Sequence, residues 1–119
     1  MKNLDIRDKA DLLRQLAHPV RLLILEELCQ GAKCVTDIKD ILDIPQPNVS
    51  QHLLILRRNR IIDFYEDGSL RCYYLLRPAL VRGLFTFISG QYPIIHRERE
   101  EVRQEGKMRE QKKEHQAAG

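Results

Sequence analysis

At 119 residues, the chain has room for a single domain with a real core, yet is small enough to gain from a partner subunit. A composition that is 43% hydrophobic and 31% charged is that of an ordinary globular protein, and a net charge of +3 suits an anionic partner without requiring one. No apolar run approaches the ~20 residues of a membrane span, and MKNLDIRDKADLL lacks a signal peptide's apolar segment, so a cytoplasmic protein with no membrane association is expected.

Leu12, Leu13 and Leu16 give the first helical stripe, and Pro19, preceded by His18 as a capping or packing residue, opens a second helix over roughly 19 to 30. Val20, Leu23, Ile24 and Leu28 mark its apolar side, and Gly31 suits a left-handed cap. Val35, Ile38, Ile41 and Leu42 repeat at helical spacing in a short third helix, after which Asp43 can take a left-handed turn. Ile44-Pro45 then reverses the chain, and Val49, Leu53 and Leu56 form the buried stripe of a fourth helix, with Pro47 in its first turn.

Past Arg60 the period changes. IIDFYEDGSLRCYYLL alternates and breaks at Asp67-Gly68, which predicts two antiparallel strands with an exposed tip. A fifth helix begins at Pro78. Leu80, Val81, Leu84, Phe85, Phe87 and Ile88 make it too apolar for one solvent-facing side, so Leu80, Leu84, Phe85 and Ile88, together with Leu12 of the first helix, are assigned to a homodimer interface. The expected domain runs over 1–95. The tail 96–119 contains seven basic and six acidic residues and almost no stripe, which reads as a frayed helix or a disordered end.

Two short helices joined by a tight turn and followed by a hairpin are the plan of a winged helix-turn-helix: mainly α, with a β-hairpin wing, in the order α-α-α-α-β-β-α. A helix that enters the major groove needs short or planar side chains on its first turns, and Gln46, Asn48, Ser50, Gln51 and His52 meet that need. Arg57, Arg58 and Arg60 at the helix end suit phosphates, although cations there also favour the helix dipole without any DNA. Arg71, on the hairpin, adds a further phosphate contact. No Ser/His/Asp set, carboxylate pair or glycine-rich phosphate loop appears, so the chain does not read as an enzyme.

In order and spacing, LAHPVRLLILEEL, CVTDIKDILDIPQPNVSQHLLILRRNRII and EDGSLRCYYLL resemble the ArsR/SmtB family of small repressors over about residues 10 to 90. The resemblance implies a homodimer joined through first and fifth helices, fourth helices in successive major grooves of double-stranded DNA, wings along the flanking backbone, and repression relieved by an inducer. It also places His52 in the DNA-contact segment. Where the family commonly has Ala-Gly after the recognition helix, this chain has Asn59-Arg60, with Asn59 able to supply the left-handed cap.

The family's metal motif Cys-Val-Cys-Asp reads Cys34-Val35-Thr36-Asp37 here, the fifth-helix metal ligands are missing, and Glu26 stands where reactive-sulfur sensors place their first cysteine. The three cysteines read as reduced thiols. Cys29 and Cys34, with four residues between them at a helix junction, form the remaining candidate sensor for As(III), another thiophilic metal ion or an oxidant. Cysteine is equally a common small core residue: that reading is favoured for Cys29 and for Cys72, whose strand face it shares with Tyr74 and Leu76, and both readings stand for Cys34. His96 and His115 read as solvated. The alternative to a DNA-binding repressor is a winged-helix module for protein-protein contact, against which the amide and hydroxyl side chains of the fourth helix argue.

Overall fold

Six helices and three short strands follow one another over residues 5–118, the part of the chain that the computed structural model describes: α1 (Ile6–Leu16), α2 (Pro19–Leu28), β1 (Lys33–Cys34), α3 (Val35–Leu42), α4 (Gln46–Arg58), β2 (Ile62–Asp67), β3 (Leu70–Leu75), α5 (Pro78–Ile88) and α6 (Arg99–Ala118). The starts of α1, α2 and α3 are each capped by a side chain. The Asp5 carboxylate accepts from the Asp8 N–H at 2.8 Å, and the His18 Nδ1 accepts from the Val20 N–H at 3.1 Å with Pro19 in the first turn, as its position suggested. At α3 the Asp37 carboxylate accepts from the Cys34 N–H at 3.3 Å.

Asp43 adopts the left-handed conformation (φ 53°, ψ 48°) between α3 and α4, as its sequence context predicts. The end of α4 differs from expectation. Asn59 stays at φ −89° and uses its side-chain amide to donate to the Ile55 carbonyl at 2.7 Å, so the left-handed residue is the next one, Arg60, at φ 56°. An arginine there costs about 1–2 kcal/mol relative to right-handed backbone, and the packing of Ile61 and Ile62 into the core holds it in place.

The sheet has strand order β1-β3-β2, all antiparallel. The hairpin turns at Gly68, whose φ of 62° a side chain would strain. β1 is only two residues long, and it pairs Lys33 with Tyr73 and Cys34 with Cys72. No periodicity can announce a strand that short. On β3, Cys72 and Tyr73 are both buried, whereas Tyr74 and Leu76 are exposed, so the face expected to unite Cys72, Tyr74 and Leu76 is covered only at Cys72.

Ile24, Leu25, Ile38, Val49, Leu53 and Leu56 lie at the centre of the core with no accessible surface, and Ile61, Ile62 and Val81 close it from the hairpin base and α5. Leu12, Leu84 and Phe85 are half-buried against this same core. Leu84 and Phe85, assigned from the sequence to a subunit interface, are thus covered in part by the subunit's own core. On α1 and α5 the large apolar side chains left open to solvent are Ile6, Leu13, Phe87 and Ile88, and Ile94 and Ile95 follow beyond α5. The charged tail forms a regular 20-residue helix, exposed along its described length, stitched by Arg103–Glu100 and tied back to its approach by Arg97–Glu105. Among the described residues no helix is long and apolar enough to cross a membrane.

Candidate nucleic-acid interface

α4 divides its side chains cleanly. Val49, Leu53 and Leu56 point into the core, while Gln46, Asn48, Ser50, Gln51, Arg57 and Arg58 remain exposed. This is the arrangement the sequence predicts for a groove-reading helix, since the short polar groups all fall on turns the rest of the chain leaves open. Arg58 makes no hydrogen bond or ion pair among the described residues, which leaves its guanidinium available to an anion.

His52 has a different environment from these neighbours. Half-buried, it packs its ring against that of His18 with centroids 4.4 Å apart, and its Nδ1 lies 3.3 Å from the Arg21 Nη1. Arg21 in turn donates from Nε to the Gln15 carbonyl at 2.6 Å and from Nη2 to the Arg14 carbonyl at 3.5 Å. An arginine has only donors, so His52 accepts through Nδ1 and carries its proton on Nε2. The result is a clamp from the end of α1 through the start of α2 to the middle of α4.

Burial, then the neighbouring His18 and Arg21 charges, lower the His52 pKa below the ordinary imidazole value. A base whose folded pKa is depressed binds more protons unfolded. Its contribution to stability is therefore present above the ordinary value and is lost as pH falls through the lower folded one. Thermal unfolding at pH 7.5 and at pH 5.5 should show a drop in midpoint that His52→Gln reduces; an equal drop in parent and variant would place the pH sensitivity elsewhere.

A second cluster joins α4 to the hairpin. The guanidinium of Arg57 lies 4.2 Å and that of Arg71 4.6 Å from the centroid of the Phe64 ring, so one aromatic side chain holds cations from α4 and β3 side by side. Tyr73 packs against the same ring at 5.6 Å. Arg57 also pairs with Asp63 at 3.3 Å. The Asp63 carboxyl titrates below the usual carboxylate range because the Phe64 N–H donates to it and Arg57 lies beside it. Thr36, Gln46, Ser50, Leu54, Arg57 and Arg71 line the groove between α3, α4 and the hairpin. Sequence reasoning found both arginines but not Phe64 or Thr36. Phe64 sits in a strand whose alternation explains it as core, and only the fold shows what lies on its ring.

The cysteines differ from expectation. Cys34 is bonded to Cys72, and Cys29 is free. The expected pairing of Cys29 with Cys34 fails because the two face different elements. Cys29 turns towards α5, in a hollow with Glu26, Arg82, Phe85 and Thr86, and its carbonyl accepts from Arg82 at 3.0 Å. Cys34 lies in β1 opposite β3. Among the described residues no three His, Cys, Asp or Glu side chains are grouped so as to hold a metal ion.

Residues 18–63 match a family model described as bacterial regulatory protein, arsR family. The chain is 42% identical over 72 residues to the HTH-type transcriptional repressor SmtB of Mycobacterium tuberculosis, a match that takes in 60% of this chain and 53% of that protein, so it spans about half the length of that relative. It is 37% identical over 92 residues to the transcriptional repressor PagR of Bacillus anthracis, covering 72% of this chain and 86% of PagR. Among solved structures, HlyU from Vibrio cholerae superposes with a TM-score of 0.63 at 26% identity, over 69% of this chain and 92% of HlyU. The PagR crystal structure superposes with a TM-score of 0.60 at 37% identity, over 70% of this chain and 94% of PagR.

Proposed function

This chain belongs to the arsR family of bacterial regulatory proteins, and from that premise we propose that it is a DNA-binding transcriptional repressor that acts as a homodimer on an imperfect inverted repeat and is released by an inducer. The observation that carries the reading is the sidedness of α4, with Val49, Leu53 and Leu56 buried and Gln46, Asn48, Ser50 and Gln51 exposed. Amides on the first turns of a helix pair with adenine edges in bidentate fashion, and hydroxyls serve bases or phosphates. Arg58 and the Phe64-held pair Arg57 and Arg71 supply the phosphate contacts that set register. His52, with its Nδ1 facing Arg21, orients α4 from behind.

The dimer brings two copies of α4 to half-sites ~34 Å apart, one helical turn of DNA. The exposed apolar residues of α1 and α5, Ile6, Leu13, Phe87 and Ile88, support an interface formed by these two helices, continuing from the half-buried Leu12, Leu80, Leu84 and Phe85.

Base and phosphate roles separate by mutation. With an operator recovered by selection from genomic fragments, Gln51→Ala should reduce discrimination between operator and random DNA by roughly 1–3 kcal/mol. Arg71→Ala should weaken both alike and flatten the dependence of affinity on salt. Fluorescence anisotropy across a salt series reads both quantities. Equal losses on the two DNAs for Gln51→Ala would remove it from base reading, and failure of the parent to prefer any duplex would overturn the proposal.

A further inference from the structure

We infer that Cys34 and Cys72 form a reversible thiol pair that locks the β-hairpin to the start of α3 and thereby sets the affinity for DNA, an inference that rests on the DNA-binding reading above. The two cysteines come from segments 38 residues apart and meet as register partners in the β1–β3 ladder. Because β1 has only two residues, the ladder on this side of the hairpin is the Lys33–Tyr73 and Cys34–Cys72 pairs. The bond therefore sits at a narrow attachment.

Both sulfurs are next to residues that the proposed interface uses. Cys34 immediately precedes α3, which packs on α4. Cys72 follows Arg71, whose guanidinium lies on Phe64 beside Arg57. With the bond closed, β3 is fixed relative to α3, and Arg71 is held alongside the exposed side of α4. With it open, this edge keeps the two-residue ladder and the packing of Tyr73 in the core but loses its covalent tie to α3, and ordering the wing against DNA costs more conformational entropy.

The thiols differ in access. Cys72 is 3% exposed, whereas Cys34 is half-buried and is the one a solvent oxidant meets. With a peroxide, the Cys34 thiolate attacks one oxygen and the O–O bond breaks, leaving a sulfenic acid while the departing hydroxide takes up a proton as water. The Cys72 sulfur then attacks the Cys34 sulfur, the S–S bond forms, the S–O bond breaks and a second water leaves. In total two thiols lose two electrons and two protons, and the peroxide is reduced to two waters. A small dithiol reverses the change by exchange.

The test treats the full chain with hydrogen peroxide or with dithiothreitol, maps its disulfides by peptide mass spectrometry, and measures operator affinity in each state. The expected result is a Cys34–Cys72 peptide after peroxide and operator binding about fivefold or more tighter in the oxidised than in the reduced form, a change of the size typical for coupled sites. Cys34→Ser should bind like the reduced parent under both treatments, and Cys29→Ser like the parent given the same treatment. Circular dichroism checks that both variants are folded, and Cys72→Ala serves as a second dithiol-free chain. A peroxide product linked through Cys29, no disulfide at all, or equal operator affinity of the two parent states would overturn the inference while leaving the DNA-binding reading intact. Loss of duplex binding in both states would defeat that reading and this inference with it.

Discussion

Ile88→Glu is expected to yield a folded monomer whose operator affinity is lower by about two orders of magnitude or more. Ile88 is 50% exposed in the single chain, so a carboxylate there meets water and costs the subunit fold little. In a dimer formed through α1 and α5 the same carboxylate would be buried in an apolar contact without a partner, at a cost of several kcal/mol. A monomer keeps one half-site and loses the gain from linking two, which for tethered sites is on the order of 10²–10⁴. Light scattering on an eluting column peak reports the mass, and anisotropy reports the affinity. A variant that stays dimeric would put the interface elsewhere. Phe85→Glu is the wrong probe, because Phe85 packs on the subunit's own core and its loss would confuse unfolding with dissociation.

The contrast between Ile88 and Phe85 shows where the sequence was legible. Periodicity identifies α5 as apolar around most of its circumference, and it does not say which side the chain itself covers. That depends on how far α5 lies from α2 and the hairpin base, a distance set by long-range packing. The helices α2 to α5 and the Asp67-Gly68 turn were readable because each has local punctuation: Pro19, Pro45 and Pro78 fix a backbone angle, and Asp43 and Gly68 tolerate the left-handed turn. The exchange of roles between Asn59 and Arg60 was not readable, because Asn59 can satisfy a helix carbonyl from its side chain or by its backbone, and Ile61 and Ile62 decide between the two.

The candidate site divides along the same line. Gln46, Asn48, Ser50 and Gln51 are local facts about one helix, and the structure leaves them exposed as expected. Phe64 beneath two arginines, His52 against His18 and Arg21, and Cys34 opposite Cys72 are contacts between segments far apart in sequence. The misplaced thiol pair shows the cause. Cys29 and Cys34 are neighbours along the chain, but the two-residue strand β1 turns Cys34 towards β3, and β1 is too short to leave a pattern.

Leu53→Ala is the second substitution expected to have a large effect, and it acts on stability. Leu53 has no accessible surface and sits on the inward side of α4, among the side chains of the central core. Removing its branched end deletes buried methyl groups and leaves a cavity, a loss of about 2–5 kcal/mol at such sites. For a domain of this size, whose whole stability is of the order of 5–15 kcal/mol, that is a large fraction. Leu54, the next residue, is 43% exposed and lines the groove beside Arg57, so Leu54→Ala should change stability by only about 0.5 kcal/mol. Urea denaturation followed by circular dichroism compares the two directly. A shift of midpoint confined to Leu53→Ala is the expected outcome, because the same rotation of α4 that buries Leu53 presents Ser50, Gln51 and Leu54 outward. Equal shifts for the two variants would mean that α4 is turned about its axis from the orientation described, and with it the polar side chains proposed to read DNA.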